Sequence, residues 1–281
     1  MQFTYSLHKI TCAEAFGFDP NAYSRFKFGD EAVAREFGTE LARGFIRQYL
    51  SRHPVSDQLV VISSPYAFIP TATFAMKNHF VFQLNRWLVE QGFPVVQETK
   101  VHRTITYKDD YGALTAAQRM QLIGGDSFHI DREFLTGKTL LFLDDIRITG
   151  SHEKMILKMV QDYGLQNDLG LLYFAELTNM DIPPDIENHL NYHQVKSIFD
   201  LDAIIKSGHF TINTRIVKYI LHSDPADCII FLQNQTNDFV HLLYNMAIGN
   251  NYHAMAFYKD NLEHIREYLF INNHKLIHHG N

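Results

Sequence analysis

Short, nearly continuous apolar runs alternate with longer amphipathic stretches over residues 1–180 of the chain. Continuous apolar runs of about four to eight residues are typical of strands buried on both faces. Strands are predicted over 58–63, 94–100, 139–143 and 168–177. Helices are predicted over 31–49, 71–90 and 151–163. This alternation predicts an α/β fold with an open, mainly parallel sheet flanked by helices.

The pattern changes near residues 181–185, where two adjacent prolines end regular structure. Beyond them, apolar residues recur at helical spacing. Helices are predicted over 195–207, 211–222, 225–233, 236–249 and 258–269. We therefore predict an α/β domain over residues 1–180 and an all-α C-terminal region over residues 181–281.

Composition narrows the class of protein. Hydrophobic residues make up 46% of the 281 residues and charged residues 20%, which is typical of a globular protein. A net charge of −6 with scattered basic residues argues against nucleic acid as a partner. Neither the two cysteines, Cys12 and Cys228, nor the 16 histidines form a recognised metal or redox motif. No apolar stretch has the length of a bilayer span and no secretory signal is visible, so we expect a cytoplasmic protein without membrane contact.

The stretch at residues 139–152, TLLFLDDIRITGSH, is the most informative in the chain. The apolar run ends in two acids, Asp144 and Asp145, and a Thr-Gly-Ser-His loop then leads into a predicted helix. A loop at a helix N-terminus can surround a phosphate with backbone N–H groups. Carboxylates at the carboxyl end of a strand suit sugar hydroxyls or a hydrated magnesium ion. The combination predicts a phosphorylated sugar as ligand, although acid pairs and Thr-Gly turns also occur separately in other α/β proteins.

This stretch resembles the signature of type I phosphoribosyltransferases, in which four apolar residues, two acids and a few mixed positions precede Thr-Gly and two small or hydroxylated residues. The resemblance implies that Asp144 and Asp145 bind the ribose hydroxyls of phosphoribosyl pyrophosphate (PRPP). They would contact Mg²⁺ indirectly, through ribose or water. Thr149, Gly150 and Ser151 would bind the 5′-phosphate.

Two residues of the same loop differ from the usual pattern. The last signature position is usually Thr and is His152 here, which can still donate a hydrogen bond to a phosphate. Arg147 stands where smaller residues are common, and could pair with an acid or with the ligand phosphate.

The resemblance also implies a pyrophosphate loop after the first core strand, at residues 63–67. Its members Ser63, Ser64 and Tyr66 are the expected contacts, and the following helix favours an anion. The loop contains no glycine, lysine or arginine. An ordinary Ser-Pro turn between strand and helix is therefore an equally good interpretation of these residues.

A polar stretch over 100–128 resembles the ComF-like branch of the superfamily. Three short motifs match that branch in order: Arg103-Thr104, the stretch from Leu114 to Arg119, and the stretch from Gly125 to Phe128. Arg103, with Lys108 and Arg119, would bring positive charge over the pyrophosphate. A solvated loop that simply carries charges is the alternative. The resemblance covers roughly residues 20–178 and leaves the helical C-terminal extension unexplained.

Three functional hypotheses remain from the sequence. The first is a phosphoribosyltransferase that binds PRPP and Mg²⁺ and transfers phosphoribose to an unidentified base-like acceptor, with Asp144, Asp145 and Arg103 as catalytic residues. The second is a catalytically inactive regulator that binds PRPP or a nucleotide. The third is an interaction protein whose function lies in its helical part, which could equally form a wall of the base site or the interface of a homodimer.

Overall fold

The computed structural model describes residues 2–53, 55–104 and 127–278. Its strands are β1 (Gln2–Ile10), β2 (Leu59–Ser63), β3 (Gln97–Glu98), β4 (His102–Thr104), β5 (Ser127–His129), β6 (Thr139–Arg147) and β7 (Leu169–Leu177). Its α-helices are α1 (Pro20–Lys27), α2 (Glu31–Phe45), α3 (Ala72–Glu90), α4 (Arg132–Leu135), α5 (Ser151–Asp162), α6 (Ile186–Asn191), α7 (Leu201–Ile205), α8 (Thr214–Leu221), α9 (Pro225–Gln233), α10 (Asn237–Gly249) and α11 (Ala256–His278).

The prediction of an α/β fold with a mainly parallel sheet is confirmed. Five strands form one sheet in the order β1-β7-β6-β2-β3, and every neighbouring pair in it is parallel. β6 is the central strand of this order. Because parallel strands end at the same edge, the loops that follow β2 and β6 come together there. A separate two-stranded antiparallel ribbon pairs β4 with β5.

The sheet differs from the predicted strands at both edges. Strand β1 is not among the predicted elements, because most of its residues are exposed or half-buried and it lacks the continuous apolar run of a strand buried on both faces. The predicted strand over 94–100 is wrong in length: only Gln97 and Glu98 pair with β2, and both are exposed. An edge strand with a proline close by loses ladder hydrogen bonds, which limits its pairing.

Strand β6 extends beyond its predicted end at residue 143. Asp144 lies opposite Tyr173 and Arg147 opposite Glu176 in the ladder with β7. The acid pair therefore lies within regular strand structure rather than in a loop. Adjacent strand residues point to opposite faces of a sheet, so the two carboxylates start in different environments.

Alternate residues of β6 pack on the two faces of the sheet. Leu141 and Leu143 belong to a cluster with helices α1 to α3, whereas Leu140 and Phe142 pack with residues of α5. Helices α2 and α3 approach closely at Gly38, where an added Cβ would lie 2.2 Å from the backbone oxygen of Met76. The sheet is thus covered on both faces, as parallel sheets require.

The C-terminal helices build a third apolar cluster. Two residues from the first part of the chain, Phe28 and Ile69, are fully buried members of it. The predicted helix over 195–207 is shorter, with a 3₁₀ turn at Ile198–Asp200 before α7. Among the described residues no helix has the length and apolar character needed to cross a membrane.

Candidate functional site

Asp144 lies where three segments of the fold meet, at the carboxyl end of β6. Its Oδ1 atom accepts hydrogen bonds from the Ser64 hydroxyl at 2.6 Å and from the backbone N–H of Asp145 at 3.0 Å, with the Thr73 hydroxyl at 3.3 Å. Its Oδ2 atom lies 2.5 Å from Nδ1 of His152. One carboxylate therefore joins the loop after β2, the first turn of α3 and the first turn of α5.

The surroundings of Asp144 keep it negatively charged. Burial alone would raise the pKa of this carboxyl, but the adjacent His152 ring and the hydrogen bonds from His152 and Ser64 lower its pKa well below the usual range. Its side chain is still 14% exposed. An anionic, partly accessible carboxylate can accept hydrogen bonds from sugar hydroxyls or from water bound to a cation.

Asp145 has a different environment, because its side chain points towards α1. The carboxylate is buried and forms an ion pair with Lys27. The Tyr23 hydroxyl donates to Oδ2 at 2.5 Å and the Thr73 hydroxyl donates to Oδ1 at 3.1 Å. Burial and the Asp145 charge both raise the pKa of Tyr23, so this tyrosine remains a donor. Asp145 thus anchors α1 to the end of β6.

Thr73 connects the two acids. Its hydroxyl lies within hydrogen-bonding distance of Oδ1 of Asp144 and of Oδ1 of Asp145, and its side chain is buried on α3. One hydroxyl thus links the two carboxylates.

The loop after β6 leads through a glycine into the N-terminus of a helix. Gly150 precedes α5 with φ of 69°, a left-handed conformation that favours glycine. The Thr149 and Ser151 hydroxyls lie 2.8 Å apart, and Thr149 is exposed. The 12-residue helix α5 begins at Ser151, so the N–H groups of its first turn face the same region.

Arg147 links this loop to two glutamates. Its Nε atom donates to Glu153 at 2.5 Å and a terminal nitrogen donates to Glu176 at 2.7 Å. Glu176 also accepts from Ser6 at 2.5 Å and pairs with Lys9 on β1. The guanidinium therefore links the start of α5 to β7 and β1. Of the alternatives left open by the sequence, the structure contains the pairing with acids.

The loop after β2 obtains a cation from another part of the chain. Ser63 and Ser64 are buried, and Tyr66 is half-buried. The Lys100 ammonium lies 3.9 Å from the centre of the Tyr66 ring and donates to the backbone oxygen of Ala67 at 2.5 Å. Burial lowers the pKa of Lys100. Among the described residues no carboxylate forms an ion pair with Lys100.

The structure describes only part of the basic residues that are predicted to lie over the pyrophosphate. The backbone of Arg103 lies in β4, opposite Phe128 of β5. The side chain of Arg103 lies outside the described part of the chain, as do Lys108 and Arg119 entirely.

Sequence reasoning missed four residues of the site: Tyr23, Lys27, Thr73 and Lys100. Lys27 and Asp145 are 118 positions apart, and no spacing rule connects residues at such a separation. Lys100 stands at the start of the polar stretch over 100–128, but its return to the loop after β2 depends on a bridge between Tyr66 and His102. Within the described residues, no group of three or more His, Cys, Asp or Glu side chains converges on a common point.

The chain is similar to known proteins in its sequence and in its structure. Residues 1–265 match the family model described as PRTase ComF-like. The matched range continues through the helical part as far as Ile265, so the earlier limit of the resemblance at residue 178 is too short. No curated protein matches the chain.

Several solved structures are similar to this chain over about half of its length. A hypoxanthine phosphoribosyltransferase from Staphylococcus aureus is 11% identical, covers 51% of this chain and 74% of its own, and has a TM-score of 0.34. The hypoxanthine-guanine enzyme of L. donovani is 14% identical over 53% and 70%, with a TM-score of 0.31. The Trypanosoma cruzi hypoxanthine enzyme is 18% identical over 54% and 77%, with a TM-score of 0.33. Similarity this low carries no argument about activity.

The unequal environments of the two acids give a stability prediction. We expect Asp145→Asn to lower the free energy of unfolding by about 3–5 kcal/mol, because it leaves the Lys27 ammonium buried without a counter-charge. Asp144→Asn keeps its side-chain volume and removes a charge that no buried lysine needs, so its effect should be below about 1.5 kcal/mol. Urea unfolding of both variants measures the difference. Equal losses would contradict the anchoring role of Asp145.

Proposed function

Because the chain belongs to the ComF-like phosphoribosyltransferase family, we propose that it binds PRPP with Mg²⁺ and transfers the phosphoribosyl group to a base-like acceptor. The observation that carries this proposal is the position of Asp144. Its anionic carboxylate lies between the loop that would bind the 5′-phosphate and the loop that would bind the pyrophosphate. In PRPP the ribose lies between the 5′-phosphate and the pyrophosphate, and Asp144 lies between the two loops assigned to these groups.

In this proposal the loop after β6 binds the 5′-phosphate. Thr149 and Ser151 donate from their hydroxyls, while Gly150 allows the backbone to approach the ligand. His152 supports this role because its ring already reaches the ribose acid and can donate to a phosphate oxygen. Arg147 acts indirectly, by holding the loop on Glu153 and Glu176.

The two acids have different roles in this proposal. Asp144 accepts from the ribose hydroxyls. Asp145 positions Asp144 through the shared Thr73 hydroxyl, and a direct ribose contact of Asp145 would require exchange with Tyr23 or Lys27. Such an exchange would leave a buried donor or charge without a partner, which is unfavourable.

The pyrophosphate is assigned to the loop after β2, with Lys100 as its cation. Ser63, Ser64 and Tyr66 form the loop, and Lys100 stands over it without a carboxylate partner among the described residues. Arg103, whose backbone lies in strand β4, is proposed to add a second positive charge. Together they would stabilise the negative charge that develops on the leaving group.

The carboxylate oxygens of the site are of the type that binds Mg²⁺. Mg²⁺ prefers oxygen ligands, keeps several waters, and is usually bound by one or two carboxylates together with substrate phosphates. The Asp144 carboxylate, next to Asp145 in the chain, provides oxygen atoms of this kind. It would contact the ion indirectly, through ribose or through a bound water. When bound, the ion would neutralise charge on the pyrophosphate and orient it.

The proposed reaction breaks the bond between ribose C1 and the pyrophosphate oxygen, and pyrophosphate leaves with the electron pair. A new bond forms between C1 and a nitrogen of the acceptor, which loses a proton. Positive charge develops on the ribose ring between these events, and the Asp144 carboxylate stabilises it electrostatically. The two loops fix the phosphate ends, so the chain contributes alignment and exclusion of water.

A regulator that binds PRPP without turning it over is the second candidate. Two observations favour it: Nδ1 of His152 already contacts the ribose acid, and the loop over residues 63–67 contains no glycine. Both features limit how far the two loops can adjust around a bound ligand, and turnover requires such adjustment more than binding does.

Binding of PRPP depends on Asp144. We expect the wild-type chain to bind PRPP with Mg²⁺ in isothermal titration calorimetry, and Asp144→Asn to raise the Kd at least about tenfold, because a charged acceptor is lost. The matched control is Asp162→Asn, on the exposed face of α5. No binding by the wild type would refute the assignment, and an unchanged Kd in Asp144→Asn would remove Asp144 from the site.

Lys100 is predicted to bind the pyrophosphate. Lys100→Met should raise the Kd for inorganic pyrophosphate with Mg²⁺ about tenfold or more, since a charge-assisted contact is lost. Lys158→Met removes a solvent-exposed lysine from α5 and serves as the control. If both variants bind pyrophosphate like the wild type, Lys100 is not a ligand contact.

Turnover separates the two candidate functions. For a transferase we expect pyrophosphate release when PRPP and Mg²⁺ are mixed with one class in a panel of purine, pyrimidine and pyridine bases. Release should fall strongly in Asp144→Asn. PRPP binding without release on any base is the result expected of the regulator.

A further inference from the structure

The helical C-terminal part contacts the loop after β2 through Asn250. This residue follows α10 directly and is buried. Its Oδ1 atom accepts hydrogen bonds from the backbone N–H groups of Phe68, at 3.0 Å, and of Ile69, at 3.2 Å. Its Nδ2 atom donates to the hydroxyl of the fully buried Tyr252 at 2.8 Å. Tyr252 therefore fixes the orientation of the amide, and the amide oxygen faces the loop.

A second helix contacts the same loop at its end. The backbone N–H of Thr214, at the start of α8, donates to the Pro70 oxygen at 2.8 Å. The Thr214 hydroxyl donates to the Ile69 oxygen, also at 2.8 Å. Ile69 itself is buried within the helical cluster. An added Cβ at Gly249 would lie 2.4 Å from the Phe68 ring, so α10 packs tightly against the loop.

The loop thus has two halves with different partners. Its first half carries Ser64, which contacts Asp144, and Ala67, which contacts Lys100. Its second half, residues 68–70, is held by the helical part. A short loop whose ends are fixed has few conformations, so groups on its first half are preorganised for a ligand.

We propose that the helical C-terminal part positions the pyrophosphate loop, with Asn250 as the positioning residue. The inference rests on the proposed function and deepens it, because it gives the C-terminal helices a role in binding the leaving group. Asn250 touches no ligand in this proposal; it acts through the backbone of Phe68 and Ile69.

The test compares Asn250→Ala with Asn261→Ala. Asn261 is a second buried asparagine of the helical part, and its Nδ2 atom donates to the backbone oxygens of Leu221 and Ser223, away from the loop. Each variant is titrated with inorganic pyrophosphate plus Mg²⁺ and, separately, with ribose 5-phosphate. Hydrogen exchange of the peptide that spans residues 64–71 is measured by mass spectrometry, and Asn250→Asp, which keeps an accepting oxygen, is included in that measurement.

We expect Asn250→Ala to raise the Kd for pyrophosphate about tenfold while the Kd for ribose 5-phosphate stays unchanged. Exchange over 64–71 should become faster in Asn250→Ala and stay close to wild type in Asn250→Asp and Asn261→Ala. Equal losses in Asn250→Ala and Asn261→Ala, or equal losses for the two ligands, would overturn the inference. Wild-type binding with no change in Asn250→Ala overturns the inference alone, whereas a wild type that binds neither ligand overturns the proposed function as well.

Discussion

The candidate site depends on the buried ion pair between Asp145 and Lys27. Two adjacent carboxylates lie near the carboxyl end of the central strand of the sheet, and their charges repel each other. The alternation of side chains along a strand sends them to different faces, and Lys27 compensates one of the two charges. Asp144 can then remain anionic and partly accessible. Without the lysine, the Asp145 carboxylate would be buried without its counter-charge, and its protonation would be the lower-energy outcome.

The same ion pair also sets the position of the first helix. Tyr23 and Lys27 lie one turn apart on α1 and both reach Asp145, so α1 is fixed against the end of β6. Lys27 in turn has its backbone oxygen bound by Asn213 of the helical part, at 3.2 Å. The acid pair, α1 and the C-terminal helices therefore form one connected set of polar contacts. Buried contacts of this kind are strongly coupled, because the loss of one member leaves another without a partner.

The local parts of this arrangement could be predicted from the sequence, and the long-range parts could not. The run from Thr139 to His152 shows the strand, the acids and the helix start, because all of these are encoded by neighbouring residues. The partners of the acids, Lys27 and Thr73, come from distant helices. Lys100 likewise reaches its loop only through the tertiary fold. Edge strand β1 was missed because a half-exposed strand lacks the continuous apolar run by which buried strands are found.

The docking of the helical part onto the rest of the chain is even harder to predict from the sequence. Its helices are visible in the sequence as periodic apolar positions, yet nothing local indicates that Ile69 belongs to their core or that Asn250 accepts from a loop 181 and 182 positions earlier. Regular helices need only their own periodicity, whereas docking needs complementary surfaces from both parts of the chain. The family match extends through residue 265 and so includes α8 and α10, the two helices that contact the loop after β2.

His152 adds a last constraint on how a ligand could enter. In the structure its Nδ1 atom contacts the carboxylate that a ribose hydroxyl would use. A ligand that binds Asp144 must replace the contact between His152 and Asp144 with hydrogen bonds of its own. Only the free energy that these new bonds gain beyond the lost contact contributes to affinity. A phosphate on the neighbouring loop offers His152 a new acceptor, whereas an uncharged sugar does not. If the ligand binds as proposed, this contact would favour ligands that carry a phosphate and a ribose together over either group alone.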